Sequence, residues 1–116
     1  FCLALRDLGS KTLASVGLAR ISRLQPGVSL SVHTGLFNRR WRAHLGLTVP
    51  SQPTAQLRVG TSILSWREAE AFIFDDSFEH EVTWIPPVTS VDLSEDAARC
   101  VLIIDFGHPD LGPVCP

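Results

Sequence analysis

The sequence predicts an all-β domain of the sandwich, jelly-roll or barrel kind. Turn signals recur at short intervals, and the segments between them are too short for ordinary helices. Those segments are rich in β-branched, aromatic or alternating apolar residues, as strands are. With 116 residues, the chain has room for one domain and a single modest core.

The turns are marked by Pro26-Gly27, Thr34-Gly35, residues 50–53, Gly60, Pro86-Pro87 and residues 107–109. Between them, strands are expected at 19–24, 28–33, 41–49, 55–59, 62–66, 71–74 and 100–106. About seven strands in so short a chain suit a closed or sandwiched sheet. Residues 1–15 and 65–71 are each expected to hold a helical turn. Residues 85–98, with two prolines, small polar residues and three acids, read as a surface loop in the single domain 1–116. The chain opens on Phe1 rather than Met, and it reads as a piece of a longer protein.

Composition narrows the function classes. An apolar content of 45% with 19% charged residues is that of a folded domain. The longest aliphatic run, Val101-Leu102-Ile103-Ile104, falls far short of the roughly 20 residues a membrane helix needs. No signal pattern opens the chain, so this segment is expected to make no membrane contact, and any anchor would lie upstream. Cys2, Cys100 and Cys115 are an odd number without CxxC spacing, which supports neither a zinc knuckle nor a full disulfide framework. A net charge of −2 argues against nucleic-acid binding. Of the ten basic residues only Lys11 is Lys, and the Arg bias hints at carboxylate ligands. No GxSxG, P-loop, GxGxxG, HExxH or EF-hand pattern occurs.

The residues able to carry chemistry fall on a few strands. Residues two apart on a strand share a face, so Arg40, Arg42 and His44 line up opposite Trp41, Ala43 and Leu45 if the strand reaches that far. Taken alone, the segment favours a solvated polar face and an apolar packing face. His33 ends an alternating strand and His80 follows Phe74-Asp75-Asp76-Ser77-Phe78-Glu79. Neutral imidazole suits Fe, Zn, Cu or Ni, although either histidine alone reads better as structural. The two would meet only if the sheet folds back on itself. Arg99 opens the most hydrophobic strand, where a charge needs a partner. On period two it shares a face with Val101, Ile103 and Asp105, so an Arg99–Asp105 pair would explain it blandly.

Taken together, HTGLFNRRWRAHLGLTVP (33–50), LRVG (57–60), WREAEAFIFDDSFEHEV (66–82) and RCVLIIDFGHPDL (99–111) resemble the aspartyl/asparaginyl β-hydroxylase family in order and spacing. The resemblance runs from about Gly17 to Leu111. It implies a double-stranded β-helix, a jelly-roll, cupin-like barrel holding Fe(II) and 2-oxoglutarate, here lacking N-terminal parts of the full catalytic domain. Position by position, it makes His33 and His80 the iron ligands and sets Arg99 on the distal carboxylate of 2-oxoglutarate. Ser22, Arg42 and His44 match positions that also contact this co-substrate. Arg40 matches a substrate-binding position, and Asp76 a catalytic one beside the iron.

Most non-haem iron oxygenases add a carboxylate to two histidines. Here the residue two after His33 is Gly35, as in the family's two-histidine variant, so the dianionic co-substrate would balance the metal's charge. The implied reaction couples O2 and oxidative decarboxylation of 2-oxoglutarate to hydroxylation of a substrate carbon. The substrate implied is the β-carbon of Asp or Asn in EGF-like domains, in the endoplasmic reticulum lumen or at its membrane if the chain is eukaryotic. A bacterial, cytoplasmic relative on the same fold would instead hydroxylate lipid A acyl chains or a small molecule. A non-catalytic binding domain is the third reading, and the presence of His33, His80 and Arg99 together speaks against it. Two departures stand out: the His80 to Arg99 connector is longer than usual, and Gly107 replaces a common aromatic. Oligomeric state is left open.

Overall fold

The structure is a computed structural model that describes residues 16–35, 40–87 and 97–107. Eight strands run through them: β1 (Val16–Leu24), β2 (Leu30–His33), β3 (Arg40–Thr48), β4 (Thr54–Val59), β5 (Ser62–Ser65), β6 (Ala71–Phe74), β7 (His80–Ile85) and β8 (Arg99–Gly107). They form two four-stranded sheets, ordered β1-β8-β3-β6 and β2-β7-β4-β5. Neighbours pair antiparallel throughout. Apart from β4 and β5, consecutive strands alternate between the sheets, so the chain winds around a common interior as a double-stranded β-helix.

The expectation of an all-β jelly roll therefore holds, with one strand more than the sequence suggested. The added strand is β7, whose inward row is His80, Val82 and Trp84, all buried. Its alternation is hard to read because the first inward residue is a histidine. Residues 65–71 do not form a helical turn. Beyond Ser65 they drape across β3, where Gly46 N–H donates to Glu70 O at 3.0 Å and Ala69 N–H to Gly46 O at 2.9 Å. A Cβ at position 46 would collide with the Arg67 backbone, so glycine is what admits this close approach. The expected helical turn at 1–15 and most of the 85–98 loop lie outside the described residues.

The tight turns follow from their residues. Val28 N–H donates to Gln25 O at 3.2 Å around Pro26-Gly27, with Gly27 at φ 85. Proline first and a positive-φ glycine second is a type II turn. Gly60, at φ 56, opens the two-residue connection between β4 and β5, where glycine bears such a φ without strain.

The core lies between the sheets. Leu24, Ala55, Leu57, Trp66, Phe74, Val82, Trp84, Val101 and Ile103 pack into one cluster drawn from both. A second cluster, Ala43, Ile104 and Phe106 with Trp41 and Leu102, occupies the opposite face of β3 and β8. Both faces of this sheet are thus apolar in part, which leaves room for a few charged residues inside only where they are paired.

Candidate active site

The polar row of β3 faces the interior, not solvent. His44 is 6% exposed and packs among Trp66, Phe72 and Phe74 at ring-centroid distances of 5.9, 5.6 and 5.1 Å. The solvated-face reading of this segment is overturned, because carboxylates from other elements compensate its arginines. Arg42 stands opposite Asp105 in the β3–β8 register and holds it bidentately, Nε to Oδ1 at 2.7 Å and Nη2 to Oδ2 at 3.0 Å. Burial alone would lower the Arg42 pKa, but the hydrogen bond with Asp105 and the charges of Asp105 and Asp76 together outweigh it and raise the value. Arg40 donates to Asp76 at 3.0 and 3.4 Å and lies 3.3 Å from Asp105. Asp76, fully buried, also lies 3.5 Å from Arg42. Two guanidiniums and two carboxylates therefore balance one another.

Asp105 is not the partner of Arg99. Six residues along one strand, at about 3.3 Å each, set them roughly 20 Å apart. Arg99 is instead 2% exposed, and no carboxylate among the described residues pairs with it. Its Nη2 donates to Ser22 Oγ at 2.9 Å, its Cζ lies 4.4 Å from the Trp66 ring centre, and its Nε has no partner. Ser22 reaches it because Leu24 pairs with Arg99, and a residue two away on the neighbouring strand lies diagonally across the same face. Burial brings the Arg99 pKa down from 12.5 to about 10. A buried cation so placed has the charge and the open donor that an anion would satisfy.

His44 is a second unfulfilled donor. Trp66 Nε1–H donates to His44 Nδ1 at 3.0 Å, which leaves the imidazole proton on Nε2. That Nε2 is buried and has no partner. Burial first, then the nearby charges of Arg99 and Arg42, lower the His44 pKa from 6.5 to about 3, so the ring is neutral. Trp66 and Asp105 are the site residues that sequence reasoning misses. A signal for Trp66 exists, since a buried indole N–H must find an acceptor.

His33 and His80 meet. They are directly opposite in the β2–β7 register, with ring centres 4.2 Å apart. Two imidazoles on one divalent first-row metal, each at about 2.1 Å and at right angles, would have centres roughly 4.5 Å apart. Each Nδ1 is tied to the carbonyl two residues back, His33 to Ser31 O at 2.7 Å and His80 to Phe78 O at 2.8 Å. An Nδ1–H donated to a carbonyl leaves Nε2 as the metal-binding nitrogen. Burial, foremost, lowers the His80 pKa, which keeps it in the neutral form that binds metal. His80 is buried and His33 exposed on its edge strand, so the pair sits at the mouth of the barrel rather than within it.

The Asp75 side chain shapes the turn into β7. Its Oδ1 accepts from Ser77 N–H at 2.9 Å and Ser77 Oγ–H at 2.7 Å, which carries Asp76 inward next to Gly35. Among the described residues, no group of three or more His, Cys, Asp or Glu side chains is arranged to hold a metal ion. A metal here would rest on the two imidazoles, with its other positions open, and the donor set fits that arrangement.

Comparison with known proteins places the fold and then the family. Solved structures with the same architecture include the cupin domain of Schizosaccharomyces pombe Cnp3, with a TM-score of 0.54 at 9% identity over 78% of this chain and 55% of that one. The TT1209 protein of Thermus thermophilus gives 0.52 at 15% identity over 90% of this chain and 95% of that one. The molecule is thus a cupin-like β-barrel protein.

Within that class the chain belongs to the aspartyl/asparaginyl β-hydroxylase family, whose model matches residues 1–109. It is 36% identical to the mouse and human aspartyl/asparaginyl β-hydroxylases over 97% of its length. It spans 14% of each of those proteins. An ornithine lipid ester-linked acyl 2-hydroxylase of Rhizobium tropici is 39% identical over 82% of this chain and 31% of that protein.

Proposed function

We propose that this barrel is the site of an Fe(II)- and 2-oxoglutarate-dependent dioxygenase that hydroxylates the β-carbon of Asp or Asn in protein substrates, EGF-like domains foremost. The pairing of His33 with His80 carries the reading, because two imidazoles with tied Nδ1 atoms stand opposite each other on β2 and β7 at the mouth of the barrel. Kinship with hydroxylases supports it.

In this reading His33 and His80 hold the iron. When bound, the iron supplies the redox chemistry by which O2 and 2-oxoglutarate give succinate, carbon dioxide and a hydroxylated carbon. Arg99 and Ser22 take the distal carboxylate of 2-oxoglutarate, which supplies the anion the buried guanidinium lacks. His44 donates through Nε2–H to the same co-substrate. Arg42, fixed by Asp105, lines the interior and keeps its charge. Asp76 acts beside the metal by orienting Arg40, and Arg40 faces the incoming substrate. The surrounding apolar core keeps water from the co-substrate carboxylate at Arg99 and His44.

Acyl-chain hydroxylation is the second reading, and one observation favours it. Asp76 and Asp105 already neutralise Arg40 and Arg42, so these four groups carry no surplus positive charge for a substrate carboxylate. Incubating the protein with an EGF-like peptide and, separately, with an acyl lipid, then following the mass gain of one oxygen atom, tests the two. Gain on the peptide supports the first reading; gain on the lipid alone replaces it.

A further inference from the structure

Trp66 touches the two groups on which co-substrate binding rests, yet it makes no contact with the metal pair itself. Its indole N–H donates to His44 Nδ1 at 3.0 Å, and its ring lies nearly parallel to that imidazole, 15° between planes. The same indole faces Arg99, whose Cζ is 4.4 Å from the ring centre. Trp66 is 3% exposed, and the segment that follows it is pinned across Gly46 by two backbone hydrogen bonds. It therefore cannot swing away from either neighbour.

These contacts have a chemical consequence. A neutral imidazole can carry its proton on either nitrogen, and only the Nε2–H form presents a donor to an anion in the interior. By occupying Nδ1, Trp66 selects that form. By lying beneath Arg99 Cζ, it fixes the position of the guanidinium while leaving its Nε without a partner. The two unpartnered buried donors, His44 Nε2 and Arg99 Nε, are thus set by one side chain.

The geometry points to Trp66 as a positioning residue for the co-substrate carboxylate, acting through the His44 tautomer and the placement of the Arg99 guanidinium over its ring. This inference rests on the dioxygenase reading for the identity of the anion, although the tautomer itself does not. The decisive variant is Trp66→Phe, which keeps a ring beside Arg99 and removes the N–H donor.

The test has two readouts on the intact protein. The first is the nitrogen NMR spectrum of the His44 ring without ligand: wild type shows protonated Nε2 and bare Nδ1, and Trp66→Phe shows a mixture of both tautomers. The second, on iron-loaded protein, is the dissociation constant for 2-oxoglutarate. It rises about tenfold in Trp66→Phe, the loss of one well-placed hydrogen bond, and KM rises with it far more than kcat falls. A generally damaged core would lower thermal stability and kcat together and leave the tautomer alone.

A wild-type ring protonated on Nδ1, or a variant with the wild-type spectrum and dissociation constant, overturns the inference. Wild-type protein that fails to bind 2-oxoglutarate overturns the dioxygenase reading instead, while the ring spectrum still judges the Trp66 contact. If Trp66→Phe does not fold, the wild-type spectrum alone decides.

Discussion

The Asp76 carboxylate fills the space that a side chain on Gly35 would need. Gly35 N–H donates to Asp76 O at 2.6 Å, and a Cβ built on Gly35 collides with the Asp76 side chain. Asp76 cannot yield, because it is fully buried and gripped by Arg40 and Arg42. The position where a third metal ligand would begin is thus closed by a carboxylate from another turn.

Gly35→Ala is accordingly expected to cost about 2 to 3 kcal/mol in urea unfolding, the range of an overpacked interior. In an Asp76→Ala background that cost should shrink by at least about 1 kcal/mol, since the obstacle is gone. Strictly additive losses would show that Asp76 is not what excludes a side chain at position 35.

Arg99 is a case in which stability and function pull apart. Its guanidinium is buried without a counter-anion among the described residues, and burial lowers its pKa to about 10. Its cation–π contact with Trp66 is worth on the order of 1 kcal/mol, less than the several kcal/mol that desolvating an ion costs. Arg99→Met should therefore raise the stability of the ligand-free protein by about 1 to 3 kcal/mol. It should also abolish the rise in melting temperature that 2-oxoglutarate gives wild type. A less stable variant, or one still stabilised by 2-oxoglutarate, contradicts the assignment of Arg99.

His44 makes stability depend on pH in a defined window. In the unfolded chain its ring binds a proton near 6.5, whereas in the fold it stays neutral down to about 3. The unfolded state thus binds more protons between those values, so the His44 contribution is complete above pH 6.5 and is lost as pH falls towards 3. The slope is at most about 1.4 kcal/mol per pH unit. His44→Gln should flatten the fall in unfolding free energy between about pH 6.5 and 5, above the range where carboxylates protonate. Equal slopes in the two proteins would mean that His44 is solvated.

Much of this arrangement is legible in the sequence, and what is not has physical causes. Alternation locates seven of the eight strands, and Pro26-Gly27 and Gly60 fall in turns as expected. The β7 strand escapes because its inward row begins with His80, which breaks an apolar pattern for the sake of the site. The β3 row of Arg40, Arg42 and His44 has the composition of a solvated face. Its burial depends on Asp76 and Asp105, and no local pattern on β3 can announce partners supplied by another turn and another strand. Trp66 lies in a connection whose course is set by Gly46, a long-range contact that suggests a helical turn when only nearby residues are considered. His33 and His80 stand out through the resemblance of their flanking motifs, and their approach follows from the long-range pairing of β2 with β7, neighbours in one sheet, which needs no closure of the sheet and has no local signal.

In the proposed reading, His33 and His80 jointly hold the iron that turns over 2-oxoglutarate. That shared role is tested most directly by succinate release from 2-oxoglutarate with Fe(II) and O2, wild type against His80→Ala, with iron content measured in both. Wild type should form succinate and bind one equivalent of iron, and His80→Ala should lose succinate formation by more than about a hundredfold and retain little iron, as removal of one of the two imidazoles proposed to hold the metal demands. A His80→Ala protein that binds iron and forms succinate as wild type does would contradict the account.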